Sequence, residues 1–270
     1  MGVSYEGAIG RGWQFAKSME RLFLLFIIYL ASALIVLLPI VSIYRNITLG
    51  ALFTLNFAVS LLGFVAAIVI AGLLMLFSTL MFTHNYANQK SLRKSASFAK
   101  AKYLRFLGAT IIVTVISVLV TFPFSIADSL AQSALAKILL SSVNFIISII
   151  LSLIFFFVQQ EIAVGGSRIG RALGNSYAIF KRNWLQVLIT LIVSGLLGLL
   201  IILISAIPLI LMVVATIPSI STGQFVPAML ANIPLFILSG LILIFGATLS
   251  TLFSTGIRTD VYMQLKKRKK

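Results

Sequence analysis

Long uncharged apolar runs, separated by short charged connections, make up most of the chain. A charge at the bilayer centre is costly and about 20 apolar residues cross the hydrocarbon, so each charge-free run of that length predicts a membrane-spanning helix. Leu22 to Tyr44 is the first such run. The second has its apolar part at about Ala51 to Phe82, which fits one long or tilted helix better than two short ones. Arg105 to Asp128 and Lys137 to Glu161 bound the third and fourth. Between Arg182 and Arg258 lie 75 uncharged residues, with Pro218, Ser219, Ser221, Thr222, Gly223, Gln224, Pro227, Asn232 and Pro234 clustered in the middle as a turn-rich loop. Two spans follow, about Leu185 to Val214 and Leu235 to Ile257. The pattern predicts an all-α polytopic membrane protein with six transmembrane helices in a single integral membrane domain over residues 1–270.

The connections repeat. Phe15-Ala16-Lys17 recurs as Phe98-Ala99-Lys100, with a further Phe eight residues after the first (Phe23, Phe106), and Tyr177-Ala178 with Leu185 matches more loosely. Leu76-Phe77-Ser78-Thr79 with Thr83, Tyr86 and Lys90 aligns with Leu252-Phe253-Ser254-Thr255 with Thr259, Tyr262 and Lys266. The expected unit is a basic interfacial amphipathic helix plus two spans, repeated three times at about 5–89, 90–166 and 167–265, before a basic tail at 266–270. In the second connection Leu92, Ala96, Ala99, Tyr103 and Phe106 share a helical stripe opposite Lys94 and Arg105, with Phe98 on the other side. In the third, Ile169, Ala172, Leu173 and Phe180 oppose Arg171, Asn175 and Arg182. Such helices lie in the headgroup plane with cations level with phosphates, and Trp13 and Trp184 sit where interfacial anchors belong.

Charge sets the orientation. The chain carries 21 Lys and Arg against 5 Asp and Glu, a net charge of +16, in a composition that is 60% hydrophobic with a mean hydropathy of +1.14. In a soluble protein that charge would point to nucleic acid; beside apolar spans it points to anionic lipid, and no nucleic-acid partner is expected. Six spans place every Lys and Arg except Arg45 and Lys137 on one side, which the positive-inside rule makes cytoplasmic, with both termini there in the cell membrane. Ala31-Ser32-Ala33 imitates a leader-cleavage site, but the apolar run continues through Val41, so an uncleaved first span is expected. Asn46-Ile47-Thr48 is a glycosylation acceptor pattern in the expected outer loop.

Catalytic chemistry is scarce. The acids are Glu6, Glu20, Asp128, Glu161 and Asp260, no two of them close in sequence, so a carboxylate pair is not offered. There is one histidine, His84, and no cysteine, which leaves no metal set of the usual nitrogen and sulfur kind. No Gly-Lys-Ser/Thr phosphate loop occurs. No enzyme activity and no cofactor are therefore expected. His84 and Asp260 align in the repeat and are read as polar residues ending a span. Glu161, at a span end close to Arg168 and Arg171, is expected to form a structural salt bridge with them that seats the third surface helix. Pro39, Pro123 and Pro208 are read as ending their spans, and Gly195, Gly198, Gly240 and Gly246 as places for close helix approach.

From Phe157-Val158-Gln159-Gln160-Glu161-Ile162-Ala163-Val164, through Gly170-Arg171-Ala172-Leu173 and Ser176, to Lys181-Arg182-Asn183-Trp184-Leu185, the chain resembles a widespread prokaryotic, notably archaeal, group of uncharacterised membrane proteins. That group is related to the membrane domain fused to glycerophosphodiester phosphodiesterases, and Ser91-Leu92 to Tyr103-Leu104 looks like its earlier connection. The resemblance implies a six-span fold and no established activity. The expected function is non-enzymatic: contact with anionic membrane lipid or organisation of the membrane, as a homo-oligomer or with a membrane-protein partner. Arg93, Lys94, Lys100, Lys102, Arg168, Arg171, Lys181 and Arg182 are the expected headgroup contacts. The alternative is a transporter or channel for an apolar or zwitterionic solute.

Overall fold

A computed structural model describes residues 3–48, 50, 54–217 and 231–267. Eight helices are described: α1 (Tyr5–Ala16), α2 (Met19–Thr48), α3 (Leu55–Asn88), α4 (Leu92–Leu130), α5 (Ala134–Ile154), α6 (Val158–Ala163), α7 (Ile169–Thr216) and α8 (Ile233–Lys267). No strand occurs among the described residues. Six elements, with α5 and α6 counted as one, are long and apolar enough to cross a membrane. In their most apolar windows only 6 to 28% of residues are buried, so the apolar side chains face outward, as lipid contact requires and water would penalise. Of the turn-rich loop expected from Pro218 to Pro234, residues 218–230 lie outside the described residues, as do Arg268, Lys269 and Lys270 of the tail, while Asn232 immediately precedes α8 and Pro234 lies in its first turn.

The helix ends follow from local chemistry. Gly50 after α2, Gln89 after α3 and Gly166 after α6 have φ of 66°, 49° and 60°, the left-handed geometry that reverses a chain after a helix. Ser133 caps α5 by accepting the amide hydrogen of Ala136 at 3.2 Å.

The helices group into two compact units. The first comprises Met1–Ile9, Leu80–Ser194 and Gly256–Lys270; the second comprises Gly10–Thr79 and Gly195–Thr255. In the first unit α4 packs on α5 and α6, and the largest sealed side chains include Phe82, Phe106, Phe157, Ile162, Val261 and Tyr262. Phe157 and Tyr262 meet with ring centroids 5.6 Å apart. In the second unit α7 and α8 approach closely. Ser250 donates to the carbonyl of Gly198 at 2.9 Å, and a Cβ on Gly246 would overlap the side chain of Ser205. Gly195 and Gly240 have open space where a Cβ would go, so only two of the four glycines serve the approach.

Three expectations about elements are corrected. The prolines do not end their spans: α2 continues to Thr48 beyond Pro39, α4 to Leu130 beyond Pro123 and α7 to Thr216 beyond Pro208. A proline removes one backbone hydrogen bond, whereas unravelling in a bilayer would strand many, so the helix persists. The second basic segment is not a separate surface helix, because α4 runs without a break from Leu92 through the span. Its Ala, Leu and Lys-rich sequence is strongly helix-forming, and Gly108 comes too late to interrupt it. The third is set off by a non-helical residue, Asn183 (φ −138°, ψ 38°), whose side chain donates to the carbonyl of Ile179 at 3.4 Å. Finally Arg258, expected just past the last span at about Leu235 to Ile257, lies nine residues inside the end of α8.

Candidate functional site

The eight expected headgroup contacts all belong to the first unit, Arg93, Lys94, Lys100 and Lys102 on α4 and the others on or just before α7. Seven are exposed and Lys102 is half-exposed. None has a side-chain hydrogen bond or ion pair among the described residues. The face of α4 turned inward carries Ser95, Ala99, Phe106 and Ala109; Arg93, Lys94 and Lys100 are exposed away from it, whereas Lys102 falls on that stripe by helical spacing and is half-exposed. Phe98, off the expected stripe, stacks on His84 with ring centroids 3.9 Å apart and planes 13° apart. His84 Nδ1 also lies 3.3 Å from the Ser95 hydroxyl.

A single buried carboxylate organises the start of α7. Glu161 sits on α6 with its side chain 2% exposed, and Lys266 from the last turn of α8 approaches it at 3.3 Å. Ser167 and Asn175 each donate to the same oxygen, Oε2, at 3.2 Å. Lys266 also donates to the Tyr262 hydroxyl at 2.6 Å, one helical turn back. Gly165 closes over the pair: a Cβ there would stand 2.8 Å from the carbonyl oxygen of Glu161 and 2.9 Å from Lys266 Nζ. The partner of Glu161 is thus Lys266, not Arg168 or Arg171. Those arginines follow the left-handed turn at Gly166, where they stay exposed. Asn175, expected on the outer face of its helix, turns inward to the carboxylate.

The same region seals a break in the fourth span. Helix α5 ends at Ile154 and α6 begins at Val158; Ser176 donates to the Ile154 carbonyl at 2.7 Å and accepts the Phe157 amide hydrogen at 3.3 Å. One hydroxyl on α7 so satisfies both backbone groups that the break frees. Beside it lies a cavity of about 300 Å³ lined by Glu161, Asn175, Ile179, Arg182, Asn183 and Lys266, among others. Two cations and two amides around one paired carboxylate leave a net positive, donor-rich lining suited to an anionic group.

Residues 137–265 match the model of a family described as a domain of unknown function, DUF7847. No curated protein and no solved structure matches the chain. The matched stretch, just short of half the chain, contains Glu161, Ser167, Asn175, Ser176 and Tyr262 and stops one residue before Lys266.

The remaining expected positions have structural surroundings. Asn46 lies in the last turn of α2 rather than in a loop, and its amide donates to the Ser60 hydroxyl at 3.0 Å. The acceptor nitrogen of the expected glycosylation pattern is therefore already engaged. Asp260 accepts from Tyr86 at 3.2 Å and from Gln264 at 2.7 Å and lies seven residues inside the end of α8, while His84 lies four residues before the end of α3, in different polar contacts. Trp13 packs edge-on against Phe253 under Lys17, whereas Trp184 is 55% exposed. Among the described residues no three His, Cys, Asp or Glu side chains cluster as metal ligands.

Proposed function

We propose that the protein is a non-enzymatic, multi-pass membrane protein that binds anionic lipid headgroups through the basic segments of α4 and α7, with both termini and both segments on the cytoplasmic side. One observation carries the reading: eight cations of one compact unit stand without a protein counter-ion among the described residues. Each is fully hydrated in water, but beside an anionic leaflet each gains about 1 kcal/mol. The chain's scarce acids are spent elsewhere, Glu161 on Lys266 and Asp260 on Tyr86 and Gln264. We also propose kinship with the prokaryotic membrane-protein group named above; the support is that the motif at 157–185 lies inside the stretch matched by the family model.

Native mass spectrometry from mild detergent, after exchange into mixed phosphatidylglycerol and phosphatidylcholine, tests the reading. Neutralising Arg93, Lys94, Lys100 and Lys102 together to Gln is expected to lower the number of phosphatidylglycerol adducts by at least half. Adduct numbers equal to those of the unaltered chain would contradict it.

A further inference from the structure

A second cavity, of about 330 Å³, lies in the first unit between α4, the α5–α6 break, α7 and α8. Its walls combine Phe106, Val113, Leu151 and Phe155 with the hydroxyls of Thr110 and Ser117, and Arg258 of α8 reaches into it. Arg258 Nε donates to the Ser194 hydroxyl at 3.2 Å, and the guanidinium stands 5.2 Å from the ring centre of Phe156. These two contacts use one of five guanidinium donors. All five Asp and Glu side chains are among the described residues, and none pairs with Arg258.

A permanently charged side chain placed among apolar rings and hydroxyls, with four N–H groups unspent, has the arrangement of half an ion pair. The polar half of the cavity lies roughly 8–18 Å along α4 from Arg105, deeper along that helix than its basic segment. Thr114 and Ser152 line the cavity and are themselves exposed, so it opens on the side where α4 and α5 face the surroundings. The lining therefore offers a cation and hydroxyls to one end of a ligand and apolar side chains to the rest.

We propose that this cavity holds the oxyanion head of an amphiphile, a phosphodiester lipid of net negative charge with no cation of its own beside the phosphate, with the unspent donors of Arg258 on the oxyanion and the chain leaving past Thr114 and Ser152. This goes beyond the surface reading, because the site includes none of the eight cations of that reading. It makes one tightly held lipid distinct from the many loosely held ones.

The test uses the full-length chain, delipidated in mild detergent and titrated separately with phosphatidylglycerol, phosphatidylcholine and inorganic phosphate. Thermal unfolding and native mass spectrometry are the readouts. Phosphatidylglycerol is expected to raise the melting temperature and to leave one adduct that survives collisional activation. Arg258→Gln is expected to weaken that binding at least tenfold, and Thr114→Trp, which blocks the opening at an exposed position and keeps the charge, is expected to do the same if Arg258→Gln does not fold. The fourfold Gln variant of α4 is expected to keep this adduct while losing the loosely held ones. Undiminished binding in either cavity variant, equal protection by phosphatidylcholine, or protection by inorganic phosphate at the same concentration as the lipid would overturn the proposal. Loss of the adduct only in the α4 variant would overturn it too, while leaving the surface reading intact.

Discussion

At the scale of single residues, Glu161 has the most exacting environment. Its carboxylate is buried, takes two side-chain hydrogen bonds and pairs with a lysine whose side chain is 40% exposed. Breaking a fully buried pair costs several kcal/mol, but an ammonium that can turn to water recovers part of this. Glu161→Gln is therefore expected to destabilise the protein by about 1–2 kcal/mol and lower its melting temperature in detergent by about 2–6 °C. Arg168→Gln and Arg171→Gln are expected to leave the curve in place; a shift in those two with none in Glu161→Gln would show the pairing to be misassigned. The importance of Glu161 is legible in the sequence, since it is one of five acids and ends an apolar run. Its partner is not, because nearby arginines compete on the page with a lysine 105 positions away, and only the fold decides. Phe98 teaches the same lesson: off its expected stripe by helical geometry, it has a partner in His84 on the neighbouring helix.

At the scale of elements, the spans are legible because a bilayer enforces a minimum length between charges: four of the six predicted runs lie wholly within one helix, the second begins ahead of α3 and the fourth crosses the α5–α6 break. The ends are not legible. Each spanning element is 30 to 48 residues long, well beyond the roughly 20 that cross hydrocarbon, because helix propensity carries through charged and polar residues once a helix is nucleated. That is why α4 absorbs its basic segment and Arg258 falls inside α8, whereas Asn183 divides α7. The break between α5 and α6 had no sequence signal beyond three consecutive phenylalanines, and its repair depends on Ser176 from the next helix. Ser176→Ala leaves a buried amide and carbonyl unpaired, so chemical or thermal unfolding is expected to show a loss of about 1–3 kcal/mol. Ser97→Ala removes only a hydroxyl bonded within its own exposed turn and is expected to change stability by less than about 0.5 kcal/mol. Equal effects of the two substitutions would remove the role given to Ser176.

At the scale of the whole molecule, the sequence separates what a membrane tolerates from what it excludes, and that separation makes the polytopic character legible in the sequence. The threefold repeat stays an expectation drawn from the connections, while the fold groups the chain into two units whose boundaries cut α1, α3, α7 and α8. The central claim is that the basic segments of α4 and α7 and the end of α8 share the cytoplasmic side. The absence of cysteine allows this to be tested directly, since a single introduced thiol is the only one in the chain. Ser97→Cys on α4, Lys267→Cys at the end of α8 and Asn56→Cys near the start of α3 are each treated in intact cells with a membrane-impermeant maleimide. The expected result is modification at position 56 and protection at 97 and 267 until the cells are opened; modification at 97 or 267 in intact cells would contradict the claim.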